Sequence, residues 1–97
     1  MSPKNKKKLE LIRKKLDKLD NKFIDLIKVR TNLVNEVVKL KHFKKEIVDK
    51  KRISTVLKRI RKKSIKKSID PKITNRIWKN MIWSYIDYEK KIFNSKK

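Results

Sequence analysis

The sequence predicts an all-α chain of one long and two shorter helices, pairing with a second copy as an intertwined homodimer. Three observations lead there. Neither Pro nor Gly interrupts residues 4 to 48. Apolar residues recur through that stretch in steps of three and four, the spacing of one helix face. Further on, "SIDPK" at residues 68–72 marks a fresh helix start.

The first helix is carried by Leu9, Ile12, Leu16, Leu19, Phe23, Leu26, Leu33, Val37 and Leu40. At 1.5 Å per residue these span roughly 50 Å. A second helix is expected from Asp49 to about Lys63, with Ile53, Val56, Leu57 and Ile60 inward. The third takes Asp70 as N-cap and Pro71 as its first helical residue. It is expected to run to about Phe93 through Ile73, Ile77, Trp78, Met81, Ile82, Tyr85 and Ile92. Trp78 and Trp83 both read as packing residues of that helix. Residues 1–97 make one domain, with a core over about 9–93 and short basic tails. The first helix is too long for two shorter ones to cover its stripe, and so small a chain has little core to spare. Pairing two long helices from two chains buries the stripe.

Composition removes many chemistries. There is no Gly, so no phosphate-cradling loop or dinucleotide fingerprint, and no Cys, so no disulfide, thiolate nucleophile or cysteine zinc site. The one His, His42, follows Lys41 and reads as a surface residue; no metal site is expected. No apolar run is long enough to span a bilayer and the N-terminus lacks a signal-peptide core, so the cytoplasm is the expected location and no membrane partner is expected. What remains is chemistry by positioning and charge, without metal or cofactor. The net charge of +22 first suggests nucleic acid or an anionic membrane. A compositional cause competes with it, because Lys, Ile and Asn abound while Gly and Ala are missing.

Two features resist the compositional explanation. In a chain where nearly every cation is Lys, "IRKKLDKLDNKFIDLIKVR" (residues 12–30) carries Arg13 and Arg30. The apolar stripe is also broken by charge. Between Leu26 and Leu33 the inward step falls on Arg30, and eleven residues later, about 20° round the helix, Lys41 closes the same face. In the third helix Ile82, Tyr85, Glu89 and Ile92 share a face, which turns Glu89 inward. Inward charges need partners. One reading pairs Glu89 with Arg30 or Lys41; the excess of inward cations favours a pocket for an anionic ligand. Arg13 lies 30 − 13 = 17 residues from Arg30, about 25 Å along the helix and too far to share a pocket in one chain. In an antiparallel dimer Arg13 of one chain approaches Arg30 of the other. Guanidinium grips a carboxylate through two parallel hydrogen bonds, which ammonium does not reproduce. The implied ligand is a small molecule with more than one carboxylate.

At this point the residues resemble a known family, the all-helical chorismate mutases with their relatives the isochorismate pyruvate lyases. The resemblance covers about residues 9 to 93. It is carried by the Arg, Leu-Asp, closing-Arg order of residues 12–30, by "VVKLK" ending on Lys41, by the Asp-x-x-Arg of "VDKKRISTVL" and by "SYIDYE". It implies an intertwined dimer with two sites, each borrowing one Arg from the partner. By position, Arg13 of the partner and Arg30 hold substrate carboxylates, and Lys41 bonds the breaking ether oxygen and a carboxylate. Asp49 and Arg52 complete the wall, Glu89 faces the ether oxygen, and Tyr85 stands where family members often have a small polar residue. The implied reaction, chorismate to prephenate in aromatic amino-acid biosynthesis, is pericyclic and needs no cofactor.

Two positions depart from the pattern. Mutases usually follow the second-helix Arg with a Glu that accepts from the ring hydroxyl; here that residue is Ile53. Lyases, which convert isochorismate to salicylate and pyruvate, tend to have an aliphatic residue there, and the Lys41–Arg52 segment has the shorter lyase length. Glu89 stands where bacterial members commonly have Gln. The mutase is the preferred expectation and the lyase its alternative. A basic helical nucleic-acid binder is the remoter one, since Arg30 and Lys41 interrupt an apolar stripe instead of lining an exposed face.

Overall fold

The computed structural model describes residues 1–95; Lys96 and Lys97 of the expected basic tail lie outside the described residues. Among the described residues the elements are α1 over Pro3–Leu40, a 3₁₀ turn over Lys44–Glu46, α2 over Lys50–Lys66 and α3 over Pro71–Ser95, with no strand. The all-α expectation holds. The chain divides into two units, Met1–Leu33 and the remainder from Val34 onward.

The first unit is helix alone. Its start lies earlier than the apolar pattern indicates, because Ser2 accepts from Asn5 N–H through Oγ at 3.2 Å and Pro3 occupies the first helical position. Leu and Lys, which lose little rotamer freedom in a helix, are frequent along its later turns. Within Met1–Leu33 only Leu9, Arg30 and Thr31 are even half-buried. The stripe is therefore open to solvent, with Leu16 52 %, Phe23 54 % and Leu26 65 % exposed.

The second unit begins with the last turns of α1. That helix stops at Leu40 without Gly or Pro because the Glu46 carboxylate accepts from the N–H groups of His42 (3.2 Å) and Phe43 (2.8 Å). These donors would otherwise have carried the helical ladder onward. Asp49 caps α2 by accepting from Arg52 N–H at 2.9 Å, so it stands before the helix and not within it. The other end runs past the expected Lys63 to Lys66. Ser68 N–H donates to the Ile65 carbonyl (3.1 Å) and Ile69 N–H to that of Ser64 (2.9 Å), a Schellman closure. Such a closure needs a left-handed residue, and in a chain without Gly it falls to Ser68 at φ 58°. Asp70 then caps α3, accepting from Lys72 N–H at 3.0 Å with Pro71 as first residue, as the sequence predicts.

Helices α2 and α3 form an antiparallel hairpin, pinned near its turn by buried Ser64, whose Oγ lies 2.7 Å from Thr74 Oγ1. The core comprises Val38, Ile47, Val56, Ile82, Ile86 and Phe93, with Val34, Ile53, Leu57, Ile60, Trp78 and Ile92 packed against it. In α3 the buried line runs Ile82, Ile86, Glu89, Phe93, while Tyr85 and Ile92 are half-buried. The inward face is thus turned slightly from the expected one. Three side chains expected inside are not covered: Ile73 is 56 %, Ile77 51 % and Trp83 50 % exposed. A single α2 shields only part of so wide an apolar surface.

Candidate active site

Lys41 is the first residue beyond α1, and Glu89 lies on the buried line of α3 between Ile86 and Phe93. The turn held by Glu46 brings Lys41 back over α3. Its Nζ sits 3.3 Å from Glu89 Oε1, with the two side chains 18 % and 10 % exposed. A carboxylate in an apolar line is tolerable only with such a partner. Lys41, one of the two cations the sequence offers to Glu89, stands within ion-pair distance of it.

Two further contacts fix the neighbourhood. Tyr88 O–H donates to Asn35 Oδ1 at 2.7 Å, tying α3 to the last turns of α1. The half-buried Tyr85 ring meets the Tyr88 ring edge-on, with centroids 6.3 Å apart and planes at 82°. Neither Asn35 nor Tyr88 was picked out from the sequence. Asn35 stands off the apolar stripe, and nothing local relates it to a tyrosine 53 residues away.

Lys41 also lines an open groove of about 680 Å³ together with Lys45, Glu46, Val48, Asp49 and Lys50. Three ammonium groups face two carboxylates there, and both carboxylates already serve backbone N–H groups, Glu46 at His42 and Phe43, Asp49 at Arg52. The groove therefore favours an anion. Asp49 lines this opening with Lys41, and so do Glu46 and Lys45, which the sequence pattern does not single out. Glu46 follows His42 and Phe43 by the spacing of a local cap, which is the signal that would have found it. Arg52, on the first turn of α2, is exposed, and Ile53 beside it is half-buried against the core.

Arg13 and Arg30 belong to the other unit. Both lie on α1, 30 − 13 = 17 residues apart, about 25 Å along the axis. Arg13 is exposed and Arg30 half-buried. One helix therefore keeps the two guanidinium groups from serving one small ligand.

Among the described residues no cluster of His, Cys, Asp or Glu could hold a metal ion, and no helix is long and apolar enough to cross a membrane. Neither curated proteins nor solved structures returned a match to the chain. A protein-family model described as chorismate mutase type II matches residues 12–90.

Proposed function

Because the chain belongs to the chorismate mutase type II family, we propose that it catalyses the rearrangement of chorismate to prephenate, serving aromatic amino-acid biosynthesis. The observation that carries this reading is the Lys41–Glu89 pair, two charged side chains held 3.3 Å apart at the edge of an apolar core, with Lys41 opening onto a cationic groove. A pericyclic rearrangement needs a compact substrate conformer and stabilisation of the negative charge that gathers on the ether oxygen. In the proposed site Arg30 and the partner's Arg13 grip the two carboxylates and set the conformer. Lys41 donates to the ether oxygen and a carboxylate, and Glu89 approaches the same oxygen from the other side. Asp49 and Arg52 form the α2 wall, with Ile53 against the ring and Tyr85 beside Glu89. No metal or cofactor takes part.

The proposed site needs two chains, and the open stripe of α1 supports a homodimer. Leu16, Phe23 and Leu26 each stand half or more exposed, and full burial of such a side chain contributes about 1.5–3 kcal/mol. A second α1 laid antiparallel covers them and carries Arg13 toward Arg30 of its partner.

One observation favours a second reading. At Ile53 the ring hydroxyl of chorismate would meet an aliphatic side chain, as in an isochorismate pyruvate lyase yielding salicylate and pyruvate. The purified protein, supplied with chorismate and separately with isochorismate and its products resolved by chromatography, decides between them. Prephenate from chorismate supports the mutase. Salicylate and pyruvate without prephenate establish the lyase, and no turnover of either substrate removes both.

A further inference from the structure

Helix α2 carries cations without a single carboxylate. No carboxylate lies between Asp49 and Asp70, whereas Asp17, Asp20, Asp25 and Glu36 alternate with the lysines of α1. The cations of α2 therefore stand beside one another, Lys58 four residues from Lys62 and Arg59 four from Lys63. Like charges at that spacing repel and gain nothing for the helix. Two open grooves run along this surface and meet at Lys58. One, of about 470 Å³, is lined by Thr55, Lys58, Arg59, Lys62 and Lys63. The other, of about 410 Å³, is lined by Lys50, Ile53, Ser54, Leu57, Lys58 and Trp83, so an apolar floor that includes Ile53 of the proposed substrate site lies between its two lysines in sequence. Trp83 is 50 % exposed, where sequence periodicity places it in the packing.

We propose that this face binds single-stranded nucleic acid, with phosphates along Lys58, Arg59, Lys62 and Lys63 and one base stacked on Trp83. Cations that track a backbone beside an open aromatic are the two elements of sequence-tolerant single-strand binding. A duplex keeps its bases stacked inside and leaves the indole unused. A bilayer-inserting face requires apolar residues among the charges along its length; Ile53, Leu57 and Trp83 supply them in one groove, and the groove from Thr55 to Lys63 has none. A second copy presenting this same face sets cation against cation. The track ends toward Glu46 and Asp49, whose carboxylates line the neighbouring groove that Lys41 faces. The proposal stands apart from the mutase reading and survives its failure.

The test is fluorescence anisotropy of a labelled oligouridylate with the full chain across a salt series, helical content being checked for every variant. Trp83→Ala is expected to weaken binding about tenfold, and Trp83→Phe to retain most of it. The combined Lys58→Gln, Lys62→Gln and Lys63→Gln change lowers the salt slope by about two. Binding and slope change far less in a charge-matched control, Lys6→Gln, Lys7→Gln and Lys8→Gln. Equal effects of the two triple changes, with Trp83→Phe and Trp83→Ala both silent, overturn the proposal in favour of net charge alone. Binding to phosphatidylserine vesicles without binding to the oligonucleotide overturns it in favour of a membrane surface. Should Trp83→Ala lose its fold, the Phe variant and the two triple changes still decide.

Discussion

Lys41 Nζ and Glu89 Oε1 stand 3.3 Å apart across 48 residues of sequence, where the end of α1 meets the buried line of α3. In the absence of substrate each charge is the other's compensation. Removing one partner leaves the other desolvated and alone, which costs about 3 kcal/mol, whereas removing both is nearly neutral. Lys41→Met is therefore expected to lower the urea midpoint markedly, and Lys41→Met combined with Glu89→Leu to recover most of the loss. Additive losses in the double variant would show that the pair contributes little.

The same pair sets an expectation for catalysis. Against an ether oxygen becoming negative, an ionised Glu89 opposes the reaction and a protonated one donates a hydrogen bond, which Gln does at any pH. Glu89→Gln should therefore keep or raise the rate of chorismate turnover, measured as kcat. An inactive Gln variant would make Glu89 an ion-pair partner of Lys41 and nothing more.

Ile53 separates the two substrates. A ring hydroxyl facing its side chain lacks an acceptor, at a cost of about 1–3 kcal/mol. In a mutase, Ile53→Glu should raise kcat/KM for chorismate, up to about a hundredfold if the new carboxylate reaches the hydroxyl. In a lyase the same change should chiefly impair isochorismate turnover. Steady-state kinetics on both substrates distinguish these outcomes.

Signals lying next to one another in sequence were legible, and those created by long-range contact were not. Asp70 and Pro71 announced α3 because cap and first residue are adjacent. Glu89 and Lys41 could be placed inward because each breaks an apolar period, although the partner of Glu89 stayed open until the fold supplied it. The end of α1 was blurred because its stop signal is a side chain, Glu46, reaching back to two N–H groups. The end of α2 fell three residues late, since without Gly its left-handed closure was hidden in Ser68. Trp83 and Ile77 fit the helical period yet lie half-exposed, because periodicity names a face without naming what covers it.

Ser68 also offers a stability test. A side-chain-bearing residue in the left-handed region costs about 1–2 kcal/mol, part of which Gly returns through the greater freedom of its unfolded chain. Ser68→Gly is expected to stabilise the protein by about 0.5–1 kcal/mol, read from urea unfolding. An unchanged or lower midpoint would mean that the closure is relaxed with Ser in place.

The proposed site takes residues from two chains, because Arg13 and Arg30 lie too far apart on α1 to share a substrate. Mixing Arg13→Ala with Arg30→Ala protein under conditions of demonstrated subunit exchange tests it directly. Each variant alone should be nearly inactive. Heterodimers restore one site of two with both arginines intact, so random exchange should return about a quarter of the wild-type rate. Full exchange without recovery, or an Arg13→Ala homodimer as active as wild type, would contradict the claim.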